Sequence, residues 1–208
     1  MKWLVTKWYN APVFLAAYSL LFIFLFALPR DFAVFLIWLH VPVYLLHETE
    51  EFVFPGGFPE IMTGMLLGKG AEVPYALKKA GFWINVPFIV IGFPLVATLA
   101  TLFGASFGLY AVYFTLIATV PHIASAIKER KFYNPGIVAS IILNLPVSIF
   151  TLYYLNANGL VSVAANVIGL LLAVVAMLVP MVLLLRKAAA EVLGLKSVNI
   201  RDMMKRMF

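Results

Sequence analysis

The sequence contains no cysteine. That excludes disulfides, thiolate-bound zinc and cysteine nucleophiles, and leaves the compartment open. Charge is scarce too. Only 12% of the 208 residues are Asp, Glu, Lys or Arg, against about 25% in a soluble globular domain. Short segments alternating between apolar and polar residues, the mark of a membrane β-barrel, are missing. No internal repeat is visible. There is no nucleic-acid-binding module, so the net charge of +6 does not argue for a nucleic-acid partner.

What the chain has is apolar length. Hydrophobic residues make up 64% of it, and its mean hydropathy is +1.02. Apolar runs of about twenty residues recur from end to end, the length a helix needs to cross a bilayer. The predicted fold is an all-α, polytopic transmembrane bundle forming a single integral-membrane domain. Six spans fit, over 11–28, 32–54, 82–103, 107–127, 135–155 and 160–185. Lys2 and Lys7 precede the first run, as they would in a signal peptide. No small-x-small cleavage site follows it, and Pro29-Arg30-Asp31 reads as a tight turn into the second span.

The basic residues set the expected orientation. With six spans and a cytoplasmic N-terminus, the cytoplasmic side receives Lys2, Lys7, Lys69, Lys78, Lys79, Lys128, Arg130, Lys131, Arg186, Lys187, Lys196, Arg201, Lys205 and Arg206. That is 14 of 15, with Arg30 alone outside. This asymmetry predicts cytoplasmic N- and C-termini, and attraction to an anionic leaflet. The longest inner connection, 55–81, is rich in Gly and Pro. Its centre, 59–67, suits a short interfacial helix that covers the inner ends as a lid. The tail, about 199–208, reads as a basic amphipathic helix on the headgroups. Ile200, Met203, Met204, Met207 and Phe208 oppose Arg201, Lys205 and Arg206, and Ser197 or Asn199 is placed to cap it.

The polar exception is His47-Glu48-Thr49-Glu50-Glu51, at the inner end of the second run. A charge inside a span costs roughly 2.5–3.5 kcal/mol at its centre on insertion scales. The cluster therefore needs a partner: a metal, a proton, a cationic group or water. On a helix, His40, Tyr44, His47, Glu50 and Glu51 form one stripe, and Glu48 points elsewhere. The fourth span runs inward and brings His122 to the same depth. Asn85 marks the inner end of the third, and Tyr133-Asn134-Pro135-Gly136 opens the fifth. The outer half of the bundle is poor in polar residues.

His47 and Glu51, at i and i+4, suit one metal, with His122 as third ligand. Two imidazoles and a carboxylate fit a divalent transition metal, zinc or iron, with a position left for water. Glu50 is placed to replace Glu51, or to act beside Glu48 as acid or base. His40, Tyr44, Asn85, Tyr133 and Asn134 are candidate supporting or substrate contacts. The bland readings are a hydrogen-bonded packing cluster and a proton or ion relay.

With these residues the chain resembles the HXXEE-domain family. The likeness rests on His47-Glu48-Thr49-Glu50-Glu51, the later His122, and Asn134-Pro135-Gly136 after a basic stretch. It covers the second span to the fifth. It implies a polytopic membrane protein in which His47, Glu50 and Glu51 matter, and it supplies no reaction. The motif is also similar to the His-Glu-x-x-His zinc motif, with Glu51 in place of the second histidine. Asn134-Pro135-Gly136 lacks the aspartate of intramembrane site-two proteases. Glu50-Glu51 is followed by Pro55 where CAAX-type membrane proteases carry arginine.

The expected function is a membrane-embedded, metal-dependent enzyme. It would act from the cytoplasmic leaflet on a lipid or other apolar small molecule. Its partners would be membrane lipids and that substrate. The alternatives are a small proton- or cation-coupled transporter using the same cluster, and a non-catalytic lipid-binding membrane protein.

Overall fold

The computed structural model describes residues 1–199. The predicted tail helix, with its residues Ile200 to Phe208, lies outside them. Among the described residues there is no strand. The helices are α1 (Lys2–Asn10), α2 (Pro12–Ala27), α3 (Phe32–Phe52), α4 (Phe58–Leu67), α5 (Tyr75–Phe103), α6 (Ala105–Glu129), α7 (Ile137–Ala157) and α8 (Val163–Val192). Five of them, α3 and α5 to α8, are long and apolar enough to span a membrane. The bent pair α1 and α2 makes a sixth if taken as one span. The protein is therefore an integral-membrane helical bundle.

Where the helices differ from the hydropathy reading, the reasons are local. The first predicted span is α2, and the chain bends by 55° between it and α1. Pro12, in the first helical turn of α2, is tolerated there because its missing N–H has no intrahelical partner to lose. Helix α5 starts seven residues before the predicted span, at Tyr75. Its opening turns are amphipathic, with Ala76, Leu77 and Ala80 buried and Lys78 and Lys79 exposed. Hydropathy marks the apolar stretch, and the helix continues past it into polar surroundings. Helix α7 starts later than predicted, at Ile137, because Gly136 has φ +94°, outside the right-handed helical region.

Helix α3 is the hub, packing against α2, α5, α6 and α7. Of its best 18-residue window 61% is buried, against 11% for the peripheral α8. That contrast explains why the hub carries the polar residues: its side chains meet protein, whereas those of α8 are left to face lipid. Asp31 caps α3 by accepting from Val34 N at 2.9 Å. Trp38 Nε1 donates to Thr101 Oγ1 at 2.9 Å, tying α3 to α5. Tyr113 donates to Asn166 Oδ1 at 2.8 Å, tying α6 to α8. At Gly169 an added Cβ would lie 2.6 Å from Leu109 Cβ, so α8 seats on α6 only because that position is bare. Ile37, Val41, Tyr44, Phe93, Leu109, Phe114 and Leu155 form the core among α3, α5, α6 and α7.

Candidate functional site

At the end of this core where α3 finishes, its polar stripe meets α6 and the start of α7. His47 and Glu51 sit one turn apart on α3, with His47 Nε2 3.7 Å from Glu51 Oε1. Helix α6 delivers His122, whose Nε2 is 3.2 Å from the same oxygen. One ligand atom from each of His47, Glu51 and His122 lies within 4.8 Å of the others, and all three residues are buried. The two imidazole rings stand edge to face, with centroids 4.8 Å apart.

The surrounding groups fix these rings. Asn134 Nδ2 donates to the His122 backbone oxygen at 2.9 Å. That turns Asn134 Oδ1 toward His122 Nδ1, 3.1 Å away. Nδ1 then donates to Asn134, and Nε2 faces Glu51 either as a lone pair or, in the imidazolium, as a second N–H donor. Tyr44 supports the other ring, with centroids 5.1 Å apart, and is itself held by Phe93 and Phe114. Phe58, at the start of α4, covers His122 with centroids 6.5 Å apart. The first residue of α4 thus reaches one ring of the cluster.

Gly136 is the residue that sequence reasoning missed. A Cβ there would sit 2.6 Å from His122 Cε1 and 2.8 Å from His47 Cε1. The backbone of the Asn134-Pro135-Gly136 turn is thus pressed onto both rings. Its left-handed φ and this close approach both require glycine. The Asn-Pro-Gly run marked a turn, but only the packing of α7 against α3 and α6 shows what the turn touches.

Glu50 has a different task from its neighbour. Its Oε1 accepts from Val138 N at 3.1 Å and its Oε2 from Ala139 N at 2.7 Å. These are two of the first four N–H groups of α7, which have no intrahelical acceptor. The other two are met by Ile137 N to Asn134 O and Ser140 N to Gly136 O. A carboxylate at that helix N-terminus also complements its dipole. Tyr133, outside the spans, lies beside Glu50. Its phenol is pushed above its ordinary value by burial, then by the Glu50 charge and a hydrogen bond to it.

The remaining candidates are not in the cluster. Glu48 is 1% exposed and its Oε2 has no hydrogen-bond partner among the described residues. His40 is fully buried, its Nε2 3.3 Å from Thr151 Oγ1 on α7. Asn85 is buried in α5 and makes no hydrogen bond to the cluster among the described residues.

Comparison with curated proteins and with solved structures finds no match. A protein family does match, described as "Protein of unknown function with HXXEE motif", over residues 38–151. The matched stretch is more than half of the chain. It begins on α3, takes in the motif, His122 and Asn134, and ends at Thr151, the partner of His40. The chain belongs to this HXXEE family, whose motif residues here are His47, Glu50 and Glu51.

Proposed function

We propose that His47, Glu51 and His122 hold a divalent transition metal, zinc or iron, in a membrane enzyme that acts on a lipid-like substrate from the cytoplasmic leaflet. The observation that carries this is the convergence of three potential ligand atoms from two helices. His122 Nε2 is turned toward Glu51 by Asn134, and His47 Nε2 approaches the same carboxylate oxygen. With both rings neutral and Nε2 unprotonated, acceptors 3.2 Å and 3.7 Å apart repel, and either a metal or a proton on the imidazoles relieves this. Donor atoms on a tetrahedral metal with bonds near 2.1 Å sit about 3.4 Å from one another, close to the two distances to Glu51.

A metal held there supplies Lewis acidity. The chain supplies the rest. Asn134 and Gly136 fix the two imidazoles, and Phe58 shields His122 from the loop side. Glu50 is committed to α7, which leaves Glu48, with an unbonded Oε2, as the carboxylate for proton transfer. The cytoplasmic placement of the site, and of both termini, rests on the basic asymmetry of the loops. Against a transport path, the buried residues of α3 and α7 beyond His40 and Thr151 include Ile37, Leu36, Ala33 and Leu155, all apolar.

Purified wild-type protein is expected to carry close to one transition-metal ion per chain by elemental analysis. A chelator should strip it, and zinc or iron should restore it. Protein that arrives without metal and takes up none from buffered zinc, iron or manganese ends the reading. Gly136→Ala should weaken metal affinity by about 10–100-fold, the range for groups that orient ligands. Helical content should be retained, and an unchanged affinity would show that the turn does not fix the rings.

A further inference from the structure

Helices α3 and α7 run antiparallel, tied at one end by Glu50 to Val138 and Ala139 and at the other by His40 to Thr151. Between these ties α7 presents Ser140, Asn144 and Ser148, at i, i+4 and i+8 on one face. All three are fully buried. Their side-chain oxygens and the Asn144 amide nitrogen have no hydrogen-bond partner among the described residues. The same holds for His40 Nδ1, His47 Nδ1 and Glu48 Oε2 on α3. Thr115 and Thr119 of α6 are buried too, and their hydroxyls donate to their own helix, at Ala111 O and Leu116 O.

Seven unpaired polar atoms thus fall on two helices that pack together. Buried polar groups are almost always paired with protein or with ordered water, and lipid offers neither. Glu48 lies round α3 from the α7-facing Glu50; in the seam itself donors and acceptors are mixed: an amide, two hydroxyls and two imidazole nitrogens. A cation would meet the Asn144 amide hydrogens, whereas water can both accept and donate. The six residues are each 1% exposed or less, so the occupant is small. The backbone of α7 is π-helical over Ser140–Asn144, a wide turn of the kind found at functional sites.

We infer that the seam between α3 and α7 takes up a file of water molecules. It runs from the His47/Glu51/His122 cluster to His40 and closes at the His40–Thr151 contact. Water is then held beside the cluster inside the protein, at membrane depth. The inference stands on the unpaired atoms and does not require that a metal be bound.

X-ray radiolytic labelling of the full chain in lipid nanodiscs tests it, because ordered water yields hydroxyl radicals where it sits. After correction for intrinsic reactivity, His40 should be labelled about tenfold faster than Phe93, an equally buried core residue. The S140A/S148A variant and, separately, Asn144→Leu should bring His40 down toward the Phe93 rate, with metal content unchanged. If wild-type His40 is labelled no faster than Phe93, the seam is dry and the inference fails. It fails equally if His40 is labelled fast but both variants leave that rate unaltered. The wild-type measurement decides by itself should either variant not fold.

Discussion

His47→Ala is expected to abolish stoichiometric metal binding while leaving the helical bundle assembled. The alanine removes one of three converging ligand atoms, and Glu51 and His122 alone leave too few protein donors for a stable site. The loss should exceed the roughly 10–100-fold that follows removal of a ligand's supporting group. The fold should survive because α3 is held by contacts along its whole length, from the Trp38–Thr101 hydrogen bond to the core around Ile37, Val41 and Tyr44. His40→Ala is the matching control. His40 is bonded to Thr151 on α7, away from the cluster, so its removal should leave metal content at the wild-type level. Titration of purified variants with a competing chelator, alongside circular dichroism, reads both. Wild-type affinity in His47→Ala, or loss of metal in His40→Ala alone, would show that the ligand set is misassigned.

Glu50→Ala should destabilise the protein more than any other change within the motif. It removes both acceptors of Val138 N and Ala139 N. A donor stranded in a buried site costs about 1–3 kcal/mol; that applies to Ala139 N, and Val138, 47% exposed, adds less. Water cannot easily replace the carboxylate, because Ala139 and Glu50 are both buried. Glu50→Gln retains one amide oxygen and should lose about half as much. The measurements are unfolding in mixed micelles and amide hydrogen exchange at residues 138 and 139, which should speed up in the alanine variant before the rest of α7 does. If Glu50→Ala unfolds within about 0.5 kcal/mol of wild type, the typical effect of a surface change, Glu50 is not an anchor. An activity lost in Glu50→Gln at full stability would return it to a role in proton transfer.

These two variants divide the motif by task. His47 and Glu51 face the cluster, Glu50 holds the start of α7, and Glu48 is buried on the side of α3 away from Glu50. Helical spacing by itself could not make that division. Glu50 and Glu51 are adjacent in sequence and both belong to the polar stripe, but the 100° between neighbours sends one to α7 and the other to His122. Which of them meets a histidine depends on where α6 and α7 stand around α3, and no local pattern carries that.

The sequence by itself determined that this is a helical membrane protein, because a run of about twenty apolar residues has few other stable ends. It placed α4 within the 55–81 loop from its composition. It also marked the end of the spans where α3 finishes as the polar level, because a charge in lipid needs a partner wherever the helices lie. Only the tertiary structure decided the partners. The contact of Gly136 with both imidazoles, the Asn134 hydrogen bonds that orient His122, the capture of α7 by Glu50 and the pairing of His40 with Thr151 join residues from different helices. The positions of those helices follow from packing: which faces bury small residues such as Gly169, and which core aromatics interlock around Phe93. Periodicity gives the direction of a side chain on its own helix. The identity of the neighbour it meets is a property of the whole bundle.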